Sequence, residues 1–339
     1  MTRDPGRGGS LRSGLVLLAK LVVSAGLIAF VLSRISLTEI TATMDRPRWG
    51  YLLLALGVYG LSAVGGAVQW SWILRAAGIT APGPEIRRIY FIGLFFNNFL
   101  PANVGGDAWK IIDLGRQHQR RLGVFCATLL DRLIGLGALA LLAVAMLLAA
   151  SLAGIPLPAI SLIMLPVLAF LGGVIALLLS RRLGVLLDAV LRRLRLPGLA
   201  DQVARITGEL ALYRRRVRWL QGVFLFSVLV QGLRMATHLV VAWGLGFVLD
   251  PSQMVQLLVL IPLLAVSLTL PVTINGIGLR ESISANLLVW AGLAAPQAVA
   301  MEVAAYLVQV AFSLQGGILL WVGRWGRKGS TGTGTSAVP

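Results

Sequence analysis

Apolar stretches and short basic ones alternate along this chain, and the apolar positions run continuously rather than in a period of two. Hydropathy predicts six unbroken spans near residues 14–33, 49–74, 123–149, 158–180, 219–248 and 297–322. Each has the roughly 20 apolar residues that a membrane helix requires. Two further apolar segments, 86–118 and 254–293, are interrupted. The first breaks at Asn97-Asn98-Phe99-Leu100-Pro101-Ala102-Asn103-Val104-Gly105-Gly106-Asp107, the second at Leu268-Thr269-Leu270-Pro271-Val272-Thr273-Ile274-Asn275-Gly276-Ile277-Gly278. Hydrocarbon gives a free N–H or C=O nothing to bond, so broken backbone survives at membrane depth only beside protein or a wet cavity. Paired interruptions in corresponding halves of a chain point to a transporter's binding site.

Composition agrees. The chain is 57% hydrophobic and 13% charged, which places it among polytopic membrane proteins. Within 339 residues, six to nine segments at roughly 20 residues each leave no expected room for a soluble catalytic domain. A net charge of +17 in a soluble chain would suggest nucleic acid. Here the excess lies between apolar spans, so an anionic membrane surface is the expected partner. Cys126 is the single cysteine and His118 and His238 are the two histidines, so neither a disulfide, a His/Cys metal site nor a cofactor is expected.

The basic residues set an orientation. Arg181, Arg182, Arg192, Arg193, Arg195, Arg205, Arg214, Arg215, Arg216 and Arg218 crowd the stretch 181–218 against Asp188, Asp201 and Glu209. Positive residues prefer cytoplasmic loops, which puts this connector and both termini in the cytoplasm. Its leucines and valines interleave with arginines at helical spacing, as in an interfacial helix; a plain positive connector fits equally. The division expected is a cytoplasmic segment 1–13, a membrane domain 14–325 and a disordered tail 326–339. Arg3, Arg7 and Arg12 precede a first span too long for a signal peptide core, so that span is read as uncleaved.

For the count to close, each interrupted segment must start and end on one side. Segment 86–118 then enters from the cytoplasm and 254–293 from outside, as re-entrant hairpins of opposite orientation. The fold expected is all-α, with about six full spans plus these two hairpins in an inverted repeat of halves 49–149 and 219–322. Aligning Pro101 with Pro271 also aligns Lys110 with Arg280, each nine residues further on, and brings Asp131 close to Glu302. One alternative is that residues 108–118, with Lys110, Asp113 and Arg116, lie flat in the interface.

Charge inside a membrane costs a few kcal/mol or more, so it marks candidates. Asp107, Asp131, Glu281 and Glu302 provide the carboxylates, and Lys110, Arg132, Arg234 and Arg280 the cations. With Asn98, Pro101, Asn103, Gly105, Gly106, Pro271, Asn275, Gly276 and Gly278 at the breaks, they form the candidate substrate-binding set. Cations and helix N-termini around a cavity would attract a phosphate. Each residue also has a plainer role: proline kinks, glycine packing, a local Asp131–Arg132 pair, a hydrated Glu302 at the outer boundary, and a His238 that only packs. Gln69 and Gln231 suit interhelical hydrogen bonds, and Trp70, Trp72, Trp219 and Trp243 an interfacial belt.

The run Phe91 to Pro101 followed by Gly105-Gly106-Asp107 resembles the lysylphosphatidylglycerol synthase transmembrane region, or flippase-like, family. So do Asp131-Arg132-Leu133-Ile134-Gly135 and Pro271 with Gly276-Ile277-Gly278-Leu279-Arg280-Glu281. Lys110 departs from the arginine usual there, keeping the charge but losing the planar fork for phosphate. The resemblance implies a multi-pass inner-membrane protein, with members that flip aminoacylated phosphatidylglycerol and others tied to hopanoid or glycolipid pathways. The function expected is translocation of a polar or anionic phospholipid or glycolipid by a non-enzymatic transporter, working with a separately encoded lipid-synthesis enzyme. The alternatives are a lipid-modifying membrane transferase and a non-transporting subunit of a lipid or envelope synthesis complex.

Overall fold

The computed structural model describes residues 29, 37–99, 105–268 and 276–329. Every regular element among them is helical: α1 Leu37–Thr43, α2 Trp49–Ala76, α3 Gly83–Phe99, α4 Gly105–Gln117, α5 Arg121–Leu152, a 3-10 turn Ala159–Ile163, α6 Met164–Leu179, α7 Arg181–Arg193, α8 Pro197–Arg214, α9 Val217–Gly244, α10 Pro251–Ser267, α11 Leu279–Leu287 with a 3-10 turn Leu288–Ala291, and α12 Ala295–Gly329. Five stretches are long and apolar enough to cross a membrane: Trp49–Ala76, Arg121–Leu152, Ala159–Ala176, Val217–Gly244 and Ala295–Val322. They fall on five of the six predicted spans. The predicted span 14–33 lies, apart from Ala29, outside the described residues.

Both interrupted segments are a pair of helices rather than one straight rod. The residues between them, with Pro101, Asn103, Pro271 and Asn275, also lie outside the described residues. In the first pair α4 folds back along α3. The Gly106 N–H donates to Asn97 Oδ1 at 2.8 Å, and the rings of Phe96 and Trp109 stand 5.1 Å apart. A Cβ on Gly106 would collide with the Gly93 carbonyl oxygen, so glycine is what allows the two backbones to touch. In the second pair, Asp250 and Gln253 cap α10 reciprocally at 2.8 and 3.0 Å, with Pro251 at its first position. α11 opens after Gly276 and Gly278, at φ +76° and +81°, a left-handed backbone that side chains resist. The Glu281 carboxylate accepts the Gly278 N–H at 2.7 Å, satisfying a donor that the helix start leaves free.

Two long helices make the centre. α2 and α9 run antiparallel: Arg48 N donates to Gly244 O at 2.7 Å, Tyr51 meets Trp243, and Trp72 meets Phe226. Around this pair, α3 packs on α12 and α10 packs on α5. Lipid rewards apolar burial little, so such contacts depend on small residues and close fit; a Cβ on Gly316 of α12 would strike the Phe91 carbonyl of α3. Two apolar cores result. One gathers Trp70, Ile89, Leu114, Val124, Leu130 and Val223 around α3 and α4. The other gathers Ala55, Met235, Val241, Leu260, Leu288 and Met301 around α10 and α11. The cores sit at opposite ends of α2 and α9.

The arginine-rich connector is a helical hairpin, α7 and α8. Its second helix is anchored to the first core, where Tyr213 donates its hydroxyl to Ile73 O at 3.2 Å. Arg120 joins in, bridging Glu209 at 2.8 Å and Ala77 O at 3.0 Å. α7 instead leaves Val185, Leu186 and Val190 exposed.

Candidate functional site

Between the two cores lies a layer of charge. On one side Asp107, in the first turn of α4, holds Lys110 at 3.0 Å with one oxygen and Arg132 of α5 with the other. Asp107 and Lys110 are 6% and 4% exposed, whereas the Arg132 side chain keeps 41% of its surface open. The Lys110 ammonium also sits 4.6 Å from the Tyr90 ring and 5.4 Å from the Trp70 ring, within range of both quadrupoles. Trp70 is fully buried and donates to Thr128 at 3.2 Å; it does not belong to an interfacial belt.

Asp131 turns the other way along α5. Gln69 of α2 donates to it at 2.7 Å, and Lys110 and Arg234 are within its electrostatic reach. Arg132 goes to Asp107 instead, so the local Asp131–Arg132 pair is replaced by two contacts between helices. Gln231 donates to Gly135 O at 2.9 Å, bearing out its interhelical role, and positions Arg234 through a 3.4 Å contact.

On the far side, Arg280 leads α11. Its guanidinium lies 4.2 Å from the Tyr306 ring of α12. Its Nε and Nη1 are buried and find no hydrogen-bond partner among the described residues. Glu302 is 2% exposed and lies 2.8 Å from His238 Nδ1, with Arg280 also acting on it. Glu302 is therefore a buried, paired carboxylate, not a hydrated one at a boundary, and His238 is its partner. Tyr59 of α2 joins the two sides, because Arg234 and Arg280 both act on it.

The structure thus gathers Asp107, Lys110, Asp131, Arg132, Arg234, Arg280 and Glu302 into one layer, with Gly105, Gly106, Gly276 and Gly278 at the helix starts beside it. Glu281 spends its carboxylate on the cap of α11, and Asn98 sits at the end of α3. Sequence reasoning passed over Asn97, which bridges α3 to α4, and the aromatic residues Tyr59, Tyr90 and Tyr306. It also missed what Gln69 and His238 hold. A signal for that was present: Gln69 stands 32 residues before Pro101 and His238 stands 33 before Pro271.

A bundle of long apolar helices around buried charged side chains defines a multi-pass membrane protein. The model of the lysylphosphatidylglycerol synthase transmembrane region matches residues 17–317, and the chain belongs to that family. It is also similar to the UPF0104 membrane protein PH1989 of Pyrococcus horikoshii, 27% identical over 117 residues. That match covers 34% of this chain, and the chain spans 35% of the length of that relative.

Proposed function

We propose that the chain translocates a polar or anionic lipid across the inner membrane, passing its headgroup through the charged layer while the tails stay in the bilayer. The observation that carries this reading is Arg280. A buried guanidinium with unmet donors is costly, and its flat fork suits a phosphate. Trp109 Nε1 and Ser282 Oγ, on the second helices of the two pairs, are likewise buried without a partner among the described residues. Membership in a family named for lysylphosphatidylglycerol synthase makes an anionic phospholipid the natural class.

We further propose that α3–α4 and α10–α11 are re-entrant hairpins entering from opposite sides. Three observations support this. At 1.5 Å per residue, 17-residue α3 and α10 reach about 25 Å, short of the roughly 30 Å hydrocarbon core. Helix lengths recur, with 28, 17, 13 and 32 residues in α2 to α5. In α9 to α12 they are 28, 17, 9 extended by a four-residue turn, and 35. The corresponding helices α2 and α9 also point in opposite directions, as an inverted repeat requires. The arginine-rich connector would then face the cytoplasm.

The test is reconstitution into vesicles carrying labelled phosphatidylglycerol, with leaflet exchange followed for wild type and Arg280→Ala. Exchange well above protein-free vesicles, lost in a variant that still elutes as folded protein, is expected. Equal rates in empty and protein-loaded vesicles would rule the reading out. A transferase or a tethering subunit gives that second result.

A further inference from the structure

We infer that the groove where α5, α6 and α9 converge seats an anionic phospholipid, with an acyl chain in the groove and the phosphate on the arginines of the α8–α9 corner. The lining includes no member of the charged layer, and the inference stands whether or not the chain translocates lipid.

The groove is apolar and open to the side. Leu130 and Ile134 of α5, Ile175 of α6 and Val217, Phe224 and Leu225 of α9 line a space of about 480 Å³, a size ordinary for ligand sites. A Cβ on Gly137 of α5 would touch both Phe224 and Ile175, so the three helices meet there. Leu225 and, on α6, Phe170 are exposed, which on membrane helices means facing lipid. From Val217 to Leu225 the groove follows about 12 Å of α9, and one leaflet supplies about 15 Å of hydrocarbon, half of the core. A water there would find only Gln221 among the lining side chains, fewer polar partners than a held water needs. Hydrocarbon suits the space better.

The mouth is cationic, and its charges are unspent. Val217 lies between Arg214-Arg215-Arg216 and Arg218. The Arg214 guanidinium donates from Nη2 to the Ser180 carbonyl at 3.2 Å, drawing the end of α8 against the end of α6. Its Nε is buried with no hydrogen-bond partner among the described residues, which leaves the guanidinium short of an acceptor. Arg215, Arg216 and Arg218 stand exposed beside it. The three carboxylates of the connector are committed elsewhere: Asp188 and Asp201 hold Arg192, and Glu209 holds Arg120. Four cations with no carboxylate left for them, at the mouth of an apolar slot, match an anionic headgroup. A zwitterionic headgroup would bring its own cation among them and be disfavoured.

The test uses the full chain in phosphatidylcholine vesicles, with a trace of either phosphatidylglycerol or phosphatidylcholine carrying a photoreactive diazirine in its acyl chain. After irradiation, adducts are mapped by mass spectrometry. Peptides containing Ile134, Ile175 and Phe224 should be labelled severalfold more by the phosphatidylglycerol probe. That preference should fall toward parity in Arg215→Gln/Arg216→Gln/Arg218→Gln. It should also shrink for the wild type in about 1 M salt, where the screening length drops to about 3 Å. Leu225→Trp, which fills the groove from its open flank, should lower labelling by both probes. Arg280→Ala should leave it unchanged, which separates this seat from the translocation reading. Equal labelling of those peptides by the two probes, or a preference indifferent to salt and to the three arginines, would overturn the inference.

Discussion

Asp107 is the residue on which the first half of the charged layer turns, since its two oxygens serve Lys110 and Arg132 separately. Removing one member of a buried pair leaves a bare charge, at roughly 3–5 kcal/mol. Asp107→Ala should therefore lower the thermal unfolding temperature of the detergent-solubilised protein sharply. Arg132, with its open flank, can hydrate; Lys110, clamped against Trp70 and Tyr90, cannot. Lys110→Met in the Asp107→Ala background should accordingly recover much of the loss, because a buried ion pair replaced by apolar groups is often neutral. Wild-type stability in Asp107→Ala would contradict the burial described. The nine-residue spacing from proline to cation made Lys110 and Arg280 legible in the sequence. Their surroundings were not, because hydropathy does not say which face of a helix meets another. Trp70 looked like a belt residue and Glu302 like a hydrated one for that reason.

At the scale of elements, helix starts decide where the two halves of each interrupted segment begin. α10 begins with a reciprocal cap that Asp250-Pro251-Ser252-Gln253 spells out in sequence. The Gln253 backbone N–H, with help from the Ser252 hydroxyl, holds the Asp250 carboxyl below its ordinary range. The sign follows from the depressed value. The cap's contribution is complete above the ordinary carboxylate midpoint of about 3.9 and disappears as pH falls through the lower folded value. Hydrogen exchange at the first turn of α10 should then be pH-independent in protection near neutrality, with Asp250→Ala losing protection there and Asp250→Asn retaining most of it. Equal protection in all three proteins would remove the cap from the account. α4 was harder to read. Its charges at Lys110, Asp113 and Arg116 left open a helix lying flat in the interface, and the structure adds that Gly106 lets it press against α3 with Asp107 and Lys110 buried. Glycine at a crossing looks the same in sequence as glycine in a turn.

For the whole molecule, the antiparallel pair α2 and α9 forms the centre, and the two apolar cores occupy its opposite ends. The charged residues fall between those ends, and each interrupted segment supplies one of the cations nine residues after its proline. The connector helices α7 and α8 are fixed to one end by Tyr213 and Arg120. The spans, the breaks and the family could be read from hydropathy and motif. The pairing of α3 with α12 and α10 with α5 could not, because contacts between distant helices leave no periodic mark.

The most direct test of oppositely entering hairpins is the sidedness of their ends. In a Cys126→Ser background, single cysteines at Thr80, Gln117, Val248 and Ala294, all exposed, would be labelled with a membrane-impermeant maleimide from each side of sealed vesicles. Thr80→Cys and Gln117→Cys should react from one side, and Val248→Cys and Ala294→Cys from the other. Reaction of Thr80→Cys and Gln117→Cys from opposite sides would mean that α3 and α4 together cross the membrane, and the inverted pair of hairpins would be wrong.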